Sequence, residues 1–285
     1  HWLFRHLPAP ALTARPEISV GKNDVDDSLI DHMISKGGNQ HLVYDFHHQI
    51  YQHLSLVPHC YNDTDARQQF RITVGQETVT MSVTGVRIMI KTTIYKRLLK
   101  LWENWNYPDP INLFDVFTVV YNYFILDENN LQLSVPQTQM ISYYQKFNVT
   151  TELFASPINV QLPFYYSLFA VDQKFGAIDS FSSEMKLPPG RYEGNPPFNE
   201  MILIQCAQVI HRCLGTGTSD QTETREYLFI CIFPFWKDCS AFQEIDQSPY
   251  CRSKRKLEHG QYQYQNNDRN LLTAEFDSMV FILSN

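Results

Sequence analysis

The sequence predicts an α/β protein, an open sheet with helices on it, preceded by a mostly helical segment. Three observations carry this. After about residue 148, short apolar runs alternate with a helical stripe, the order that builds an open sheet. Residues 228–233 and 279–283 are continuous apolar runs, as in strands buried on both faces of a parallel sheet. The composition, 44% apolar and only 19% charged over 285 residues, supplies a large core and excludes a disordered chain. The expected boundary falls between a helical domain, 1–147, and a sheet domain, 148–285.

The elements follow in order. Residues 1–20, with Pro8, Pro10 and Pro16, read as an extended lead-in. Leu42, Phe46, Ile50 and Leu54 form a stripe of helical period across 41–56. Residues 70–84 alternate apolar and polar and are rich in β-branched side chains, predicting a hairpin. Residues 86–105 read as a helix, with Val86, Ile90, Ile94, Leu98, Leu101, Trp102 and Trp105 on one face and Pro108 and Pro110 beyond its end. A second apolar helix runs to residue 126 and a third spans 135–147. Beyond them, 151–156 is a short strand ended by Pro157, 176–179 another, and 201–214 a helix. Residues 215–226 are a polar, exposed loop.

The net charge of -7 excludes nucleic-acid binding by bulk charge but leaves room for a local basic groove. Arg252, Lys254, Arg255 and Lys256 form such a cluster, readable as a solvated surface run or as phosphate contacts. The six cysteines show no paired spacing, and most sit in apolar surroundings, so free thiols in a reducing, intracellular compartment are expected, nuclear or cytoplasmic. The longest apolar stretch, 114–126, is shorter than the roughly 20 residues of a membrane span. No signal peptide is visible, and a start at His1 reads as a piece of a longer chain. Eight of the ten histidines precede residue 61, but His47 and His48 are adjacent and share no helical face, so no metal site is expected.

The informative segment is Tyr192-Glu193-Gly194-Asn195-Pro196-Pro197-Phe198. The Asn195 side-chain oxygen and the Pro196 carbonyl can each accept one hydrogen of a planar NH2 group, holding its nitrogen toward a methyl donor. Pro196 and Pro197 fix the backbone, so the acceptors are preorganised. Phe198 offers a ring against which a base stacks, worth about 1–3 kcal/mol. The alternative is a rigid turn between a strand and a helix. Upstream, Glu152-Leu153-Phe154-Ala155-Ser156-Pro157-Ile158-Asn159 runs from a strand into a turn of small residues, which lets backbone approach a nucleoside-bearing cofactor or simply ends the strand. Asp179 is placed to bind a ribose hydroxyl or to cap a turn. Phe235 and Trp236, just past the strand at 228–233, are candidates to line the substrate pocket.

In this order ELFASPIN (152–159), GAIDSF (176–181), YEGNPPF (192–198), LFICIFPFW (228–236) and EHGQYQY (258–264) resemble the phosphorylated CTD-interacting factor family, and HLVYDFHH (41–48) is similar to its helical domain. That family comprises cap-specific adenosine N6-methyltransferases. The resemblance implies a Rossmann-like S-adenosylmethionine-dependent methyltransferase sheet acting on capped RNA that begins with adenosine. It implies a catalytic role for Asn195, Pro196, Pro197 and Phe198, and cofactor binding by Phe154, Ala155, Ser156, Pro157 and Asn159. Better-known animal members add a WW domain that binds polymerase tails; Trp102 and Trp105 are too close together to form one, so no such contact is expected. Two alternatives stay open: a cap- or RNA-binding module that has lost its chemistry, and an amino-methyltransferase acting on DNA or on protein glutamine.

Overall fold

A computed structural model describes residues 70–83, 86–106, 110–128, 133–215 and 226–285. The stripe at 41–56, the histidine-rich segment and most of the polar loop at 215–226 lie outside them. One compact unit closes at Met89 and a second runs from Ile90 to Asn285.

A three-stranded meander is formed by β1 (Arg71–Val74), β2 (Thr78–Val83) and β3 (Val86–Lys91), the boundary falling within β3. The expected hairpin is there, with Ile72 opposite Met81. The expected helix over 86–105 is corrected at its start. Residues 86–91 are a strand, and only Thr92–Asn106 (α1) is helical. The spacing of Val86, Ile90 and Ile94 fits a helix, but Val86, Ile88 and Ile90 also alternate with Arg87, Met89 and Lys91. Their β-branched side chains favour the pleated surface, and β2 is beside them to pair with.

In the second unit α1 is followed by α2 (Leu113–Glu128) and α3 (Gln137–Phe147). A six-stranded mixed sheet follows. Its strands are β4 (Thr151–Glu152), β5 (Phe164–Tyr165), β6 (Gly190–Gly194), β7 (Tyr227–Pro234), β8 (Cys251–Leu257) and β11 (Ser278–Ser284). They lie in the order β5-β4-β6-β7-β11-β8. β5, β4, β6 and β7 run parallel, while β11 is antiparallel to both its neighbours. The expectation of a second parallel strand at 279–283 is thus corrected. A continuous apolar run reports burial on both faces, not direction. β9 (Gln263–Gln265) and β10 (Leu271–Thr273) form a separate hairpin.

The period of two along β7 divides the core. Phe229, Cys231 and Phe233 pack with Leu203, Ala207 and Ile210 of helix α4 (Glu200–Gly215), and with Phe242 and Ile245 of α5 (Ser240–Asp246). Ile230 and Ile232 face the other way, into a cluster with Met140 and Tyr143 of α3 and Tyr264 of β9. The sheet is therefore covered on both faces, an arrangement compatible with a methyltransferase fold.

The expected strand at 176–179 is not a strand. A 3-10 helix (Ala170–Phe175) precedes it and ends at Gly176, whose φ of 100° suits a residue without Cβ. Beyond it the chain runs beside the segment after β5, with the Ile178 amide donating to the Tyr165 carbonyl at 2.8 Å and a single bridge at Ser167–Ser180. Among the described residues no helix is long and apolar enough to cross a membrane. Cys206, Cys213, Cys231, Cys239 and Cys251 are free thiols.

Candidate active site

Strands β4 and β6 lie side by side and parallel, with Glu152 paired to Glu193. Their carboxyl ends therefore release the two sequence-predicted segments next to each other, where ligands bind in an open α/β sheet. Phe154 and Asn159 from the first segment, and Asn195 and Pro197 from the second, line one cavity, together with Glu152, Glu193 and Tyr123 of α2. Its volume is about 20 Å³, room for one water-sized group.

The Asn195 amide is held in one sense. Its Nδ2 donates to the Leu133 carbonyl at 2.7 Å, which leaves Oδ1 buried and without a partner. A buried carbonyl oxygen without a hydrogen bond costs about 1–3 kcal/mol, so the site is arranged to receive a donor. Asn199 closes the turn by capping α4, its Oδ1 accepting the amides of Met201 and Ile202. Phe198 is half-buried and meets Trp236, Tyr264 and Phe276 edge to face, at centroid distances of 6.3, 6.2 and 5.2 Å.

The turn after β4 is locked by its own side chains. Asn159 Oδ1 accepts from the Ser156 amide at 2.8 Å and from Ser156 Oγ at 2.9 Å, and the Asn159 amide donates to the same serine. Ala155 and Ser156 are buried beneath this turn, and Phe154 packs on Phe181 at 4.2 Å. The small, rigid turn between Phe154 and Asn159 suits close approach of a nucleoside.

The remaining predicted residues lie apart from the cavity lining. Asp179 is exposed, its carboxylate accepting from Gln173 Nε2 at 2.7 Å and from the Ser180 amide at 2.8 Å. Phe235 carries the ammonium groups of Lys237 and Lys256, each 5.0 Å from its centroid. The basic run occupies β8, an edge strand, where Lys254 pairs with Asp246 and Lys256 with Asp277, both at 2.7 Å. Arg252 donates to Ser284 Oγ at 3.2 Å. A lysine-rich edge also discourages strand addition by other chains.

Sequence reasoning places Glu152 and Glu193 within the two motifs but assigns them no role. Both are at least 96% buried. Glu152 Oε1 accepts the amides of Gln161 and Leu162 at 2.6 and 2.7 Å, while Glu193 Oε1 is buried without a partner. Burial pushes both carboxyls up. The amide donors and the Arg97 charge restrain Glu152, whereas the charge of Glu152 raises Glu193 further. Glu193 stands near the end of β6 and Asn195 just beyond it, and both line the cavity. No sequence signal marks Tyr123. Its hydroxyl donates to Asp172 across 49 residues, and burial pushes Asp172 up to about 7. Among the described residues no group of three His, Cys, Asp or Glu side chains is placed to hold a metal ion.

Comparison with known proteins bears on the same segments. The family model described as "Phosphorylated CTD interacting factor 1 WW domain" matches residues 101–267, more than half of the chain. The tryptophans inside that match are Trp102 and Trp105 on α1 and Trp236 after β7. Two relatives, one from Homo sapiens and one from Mus musculus, are each named mRNA (2'-O-methyladenosine-N(6)-)-methyltransferase. Each is 24% identical over 162 residues. The aligned part is 56% of this chain but only 22% of either relative, so the match spans about a fifth of their length.

Proposed function

The chain belongs to the phosphorylated CTD interacting factor 1 family, and from that premise we propose that it methylates the N6 amino group of the cap-adjacent adenosine of capped RNA. The methyl donor in this reading is S-adenosylmethionine, the methyl-transferring part is residues 148–285 in a Rossmann-like arrangement, and the setting is nuclear or cytoplasmic. The single observation that carries the reading is the Asn195 amide. With Nδ2 committed to the Leu133 carbonyl, Oδ1 is left buried and without a partner on a residue that lines the cavity shared with Phe154 and Asn159.

S-adenosylmethionine supplies an electrophilic methyl on a sulfonium sulfur when bound. Phe154, Ala155, Ser156, Pro157 and Asn159 would hold it, through a turn whose internal hydrogen bonds need no ordering on binding. Asn195 Oδ1 and the Pro196 carbonyl accept the two N–H groups of the target amine and turn its nitrogen toward the methyl. Methyl transfer would place positive charge on that nitrogen. The two oxygen dipoles already face it, and the spent amine then loses a proton to solvent. Phe198, wedged against Trp236, Tyr264 and Phe276, keeps the turn in place and gives the base a ring to lie against. The cavity is smaller than an adenine, so side chains at its mouth move when the base enters.

The test incubates the chain with S-adenosylmethionine and capped RNA beginning with adenosine, digests the RNA and reads N6-methyladenosine at the cap by mass spectrometry. Product from duplex DNA or from a peptide, with none from capped RNA, would refute the cap reading. Binding of capped RNA without any product would favour a binding module instead.

A further inference from the structure

Glu152 and Glu193 stand at facing positions of two adjacent parallel strands, and both side chains are buried. Two carboxyl groups so placed do not both ionise, because each charge repels the other in a poorly solvated site. The proton's position follows from their surroundings. Glu152 Oε1 is met by two backbone N–H groups, which favour the charged form, and the Arg97 charge adds to this. Glu193 Oε1 has no donor to meet it. Glu152 therefore keeps the charge and Glu193 keeps the proton, in line with the upward push that burial and Glu152 exert on it. A neutral carboxyl is a hydrogen-bond donor, which a carboxylate is not.

Two residues on, and lining the same cavity, Asn195 presents the opposite character. Its fixed Oδ1 is an acceptor with no partner. The cavity wall thus carries a donor and an acceptor side by side, both unused within the protein.

We propose that Glu193 and Asn195 together read the amidine edge of the target base, Glu193 donating from its carboxyl O–H to ring nitrogen N1 while Asn195 Oδ1 accepts from the adjacent amino group. This rests on the reading above, in which Asn195 faces the amine to be methylated. An amidine edge offers an acceptor nitrogen beside a donor amine, as adenine does. The lactam edge of hypoxanthine or guanine reverses both: its oxygen meets the oxygen of Asn195, and its N–H meets the O–H of Glu193. Glu193 is then the residue that excludes 6-oxopurines, and Asn195 alone does not suffice.

The experiment measures binding of the full chain, with S-adenosylhomocysteine present, to capped RNAs whose first nucleoside is adenosine, 1-deazaadenosine, 7-deazaadenosine or inosine. Loss of one buried hydrogen bond predicts about 10- to 100-fold weaker binding of the 1-deaza RNA, with inosine, which loses both, weaker still and 7-deaza unchanged. Glu193→Met is expected to weaken the adenosine RNA to the level of the 1-deaza RNA and to leave the latter where it was. Glu193→Gln, whose amide also donates, recovers most of the loss. Circular dichroism checks that the variants fold. Equal binding of adenosine and 1-deazaadenosine RNAs overturns the proposal. So does a Glu193→Gln variant as weak as Glu193→Met, which would make the charge the working feature. An absence of methyl product from every RNA, with the binding ratios as expected, refutes the methyltransferase reading and leaves the base-reading pair standing.

Discussion

Replacing Asp172 by Asn makes the protein's stability less dependent on pH, and the size of the change follows from where Asp172 sits. Its side chain is fully buried in the 3-10 helix, and one carboxyl oxygen accepts from the Tyr123 hydroxyl at 2.5 Å. Burial lifts its pKa from 3.8 to about 7, against the smaller opposing pull of the Tyr123 and Ser167 hydroxyls. The folded protein therefore holds a proton that the unfolded chain releases between those values. Stability from this group is full below about pH 3.8, declines as pH rises through 7 and is flat above about pH 8. A tenfold change in proton affinity is worth about 1.4 kcal/mol, so the whole decline is roughly 4 kcal/mol, of which about 2–3 kcal/mol falls between pH 5 and 8. Asparagine keeps an oxygen for Tyr123 and never ionises. Urea unfolding at intervals from pH 5 to 8, followed by far-ultraviolet circular dichroism, should show Asp172→Asn gaining on the native protein by about that amount. The Glu152–Glu193 pair adds a decline of the same sign to both proteins and cancels in the difference. A difference that stays constant across this range, or that moves against the variant as pH rises, refutes the assignment of a buried, protonated Asp172.

Three further outcomes are expected. In Gly176→Ala the new Cβ would lie 2.2 Å from Trp105 Nε1 at a φ of +100°. This costs about 2–3 kcal/mol, read as a lower Tm, and a Trp105→Ala background should return the steric part and leave about 1 kcal/mol of backbone strain. Phe198→Ala removes the ring shared by Trp236, Tyr264 and Phe276 and should cost about 2 kcal/mol in urea unfolding, less than for a fully buried phenylalanine. For capped RNA binding, Arg255→Gln should lower the slope of log affinity against log salt by about 1, whereas Lys254→Gln should change it less, because Asp246 already neutralises that lysine.

Much of the sheet was legible because the elements with strong periodicity are also the ones the core holds. β7 is apolar along its whole length, and of the helical stripe Met201, Ile204, Val209 and Cys213 that the sequence offers for α4, Val209 and Cys213 are buried while Met201 is exposed. Residues 86–91 misled because a spacing of four residues is shared by a helix and by every second pair of strand positions. Residues 176–179 misled because a hydrogen-bonded stretch beside a strand reads in sequence like a strand. The direction of β11 left no trace in its composition.

The sequence by itself determined which residues stand at the ends of β4 and β6, since the two segments that carry Asn159 and Asn195 are local and their turns are set by serine, asparagine and proline. Tertiary structure alone decided that Leu133, 62 residues earlier in the chain, holds the Asn195 amide, and that Glu152 is register-paired with Glu193. The reason is physical. A side chain's type and its face on a strand are properties of neighbouring residues, but its hydrogen-bond partners and its proton depend on which distant segments exclude water from it.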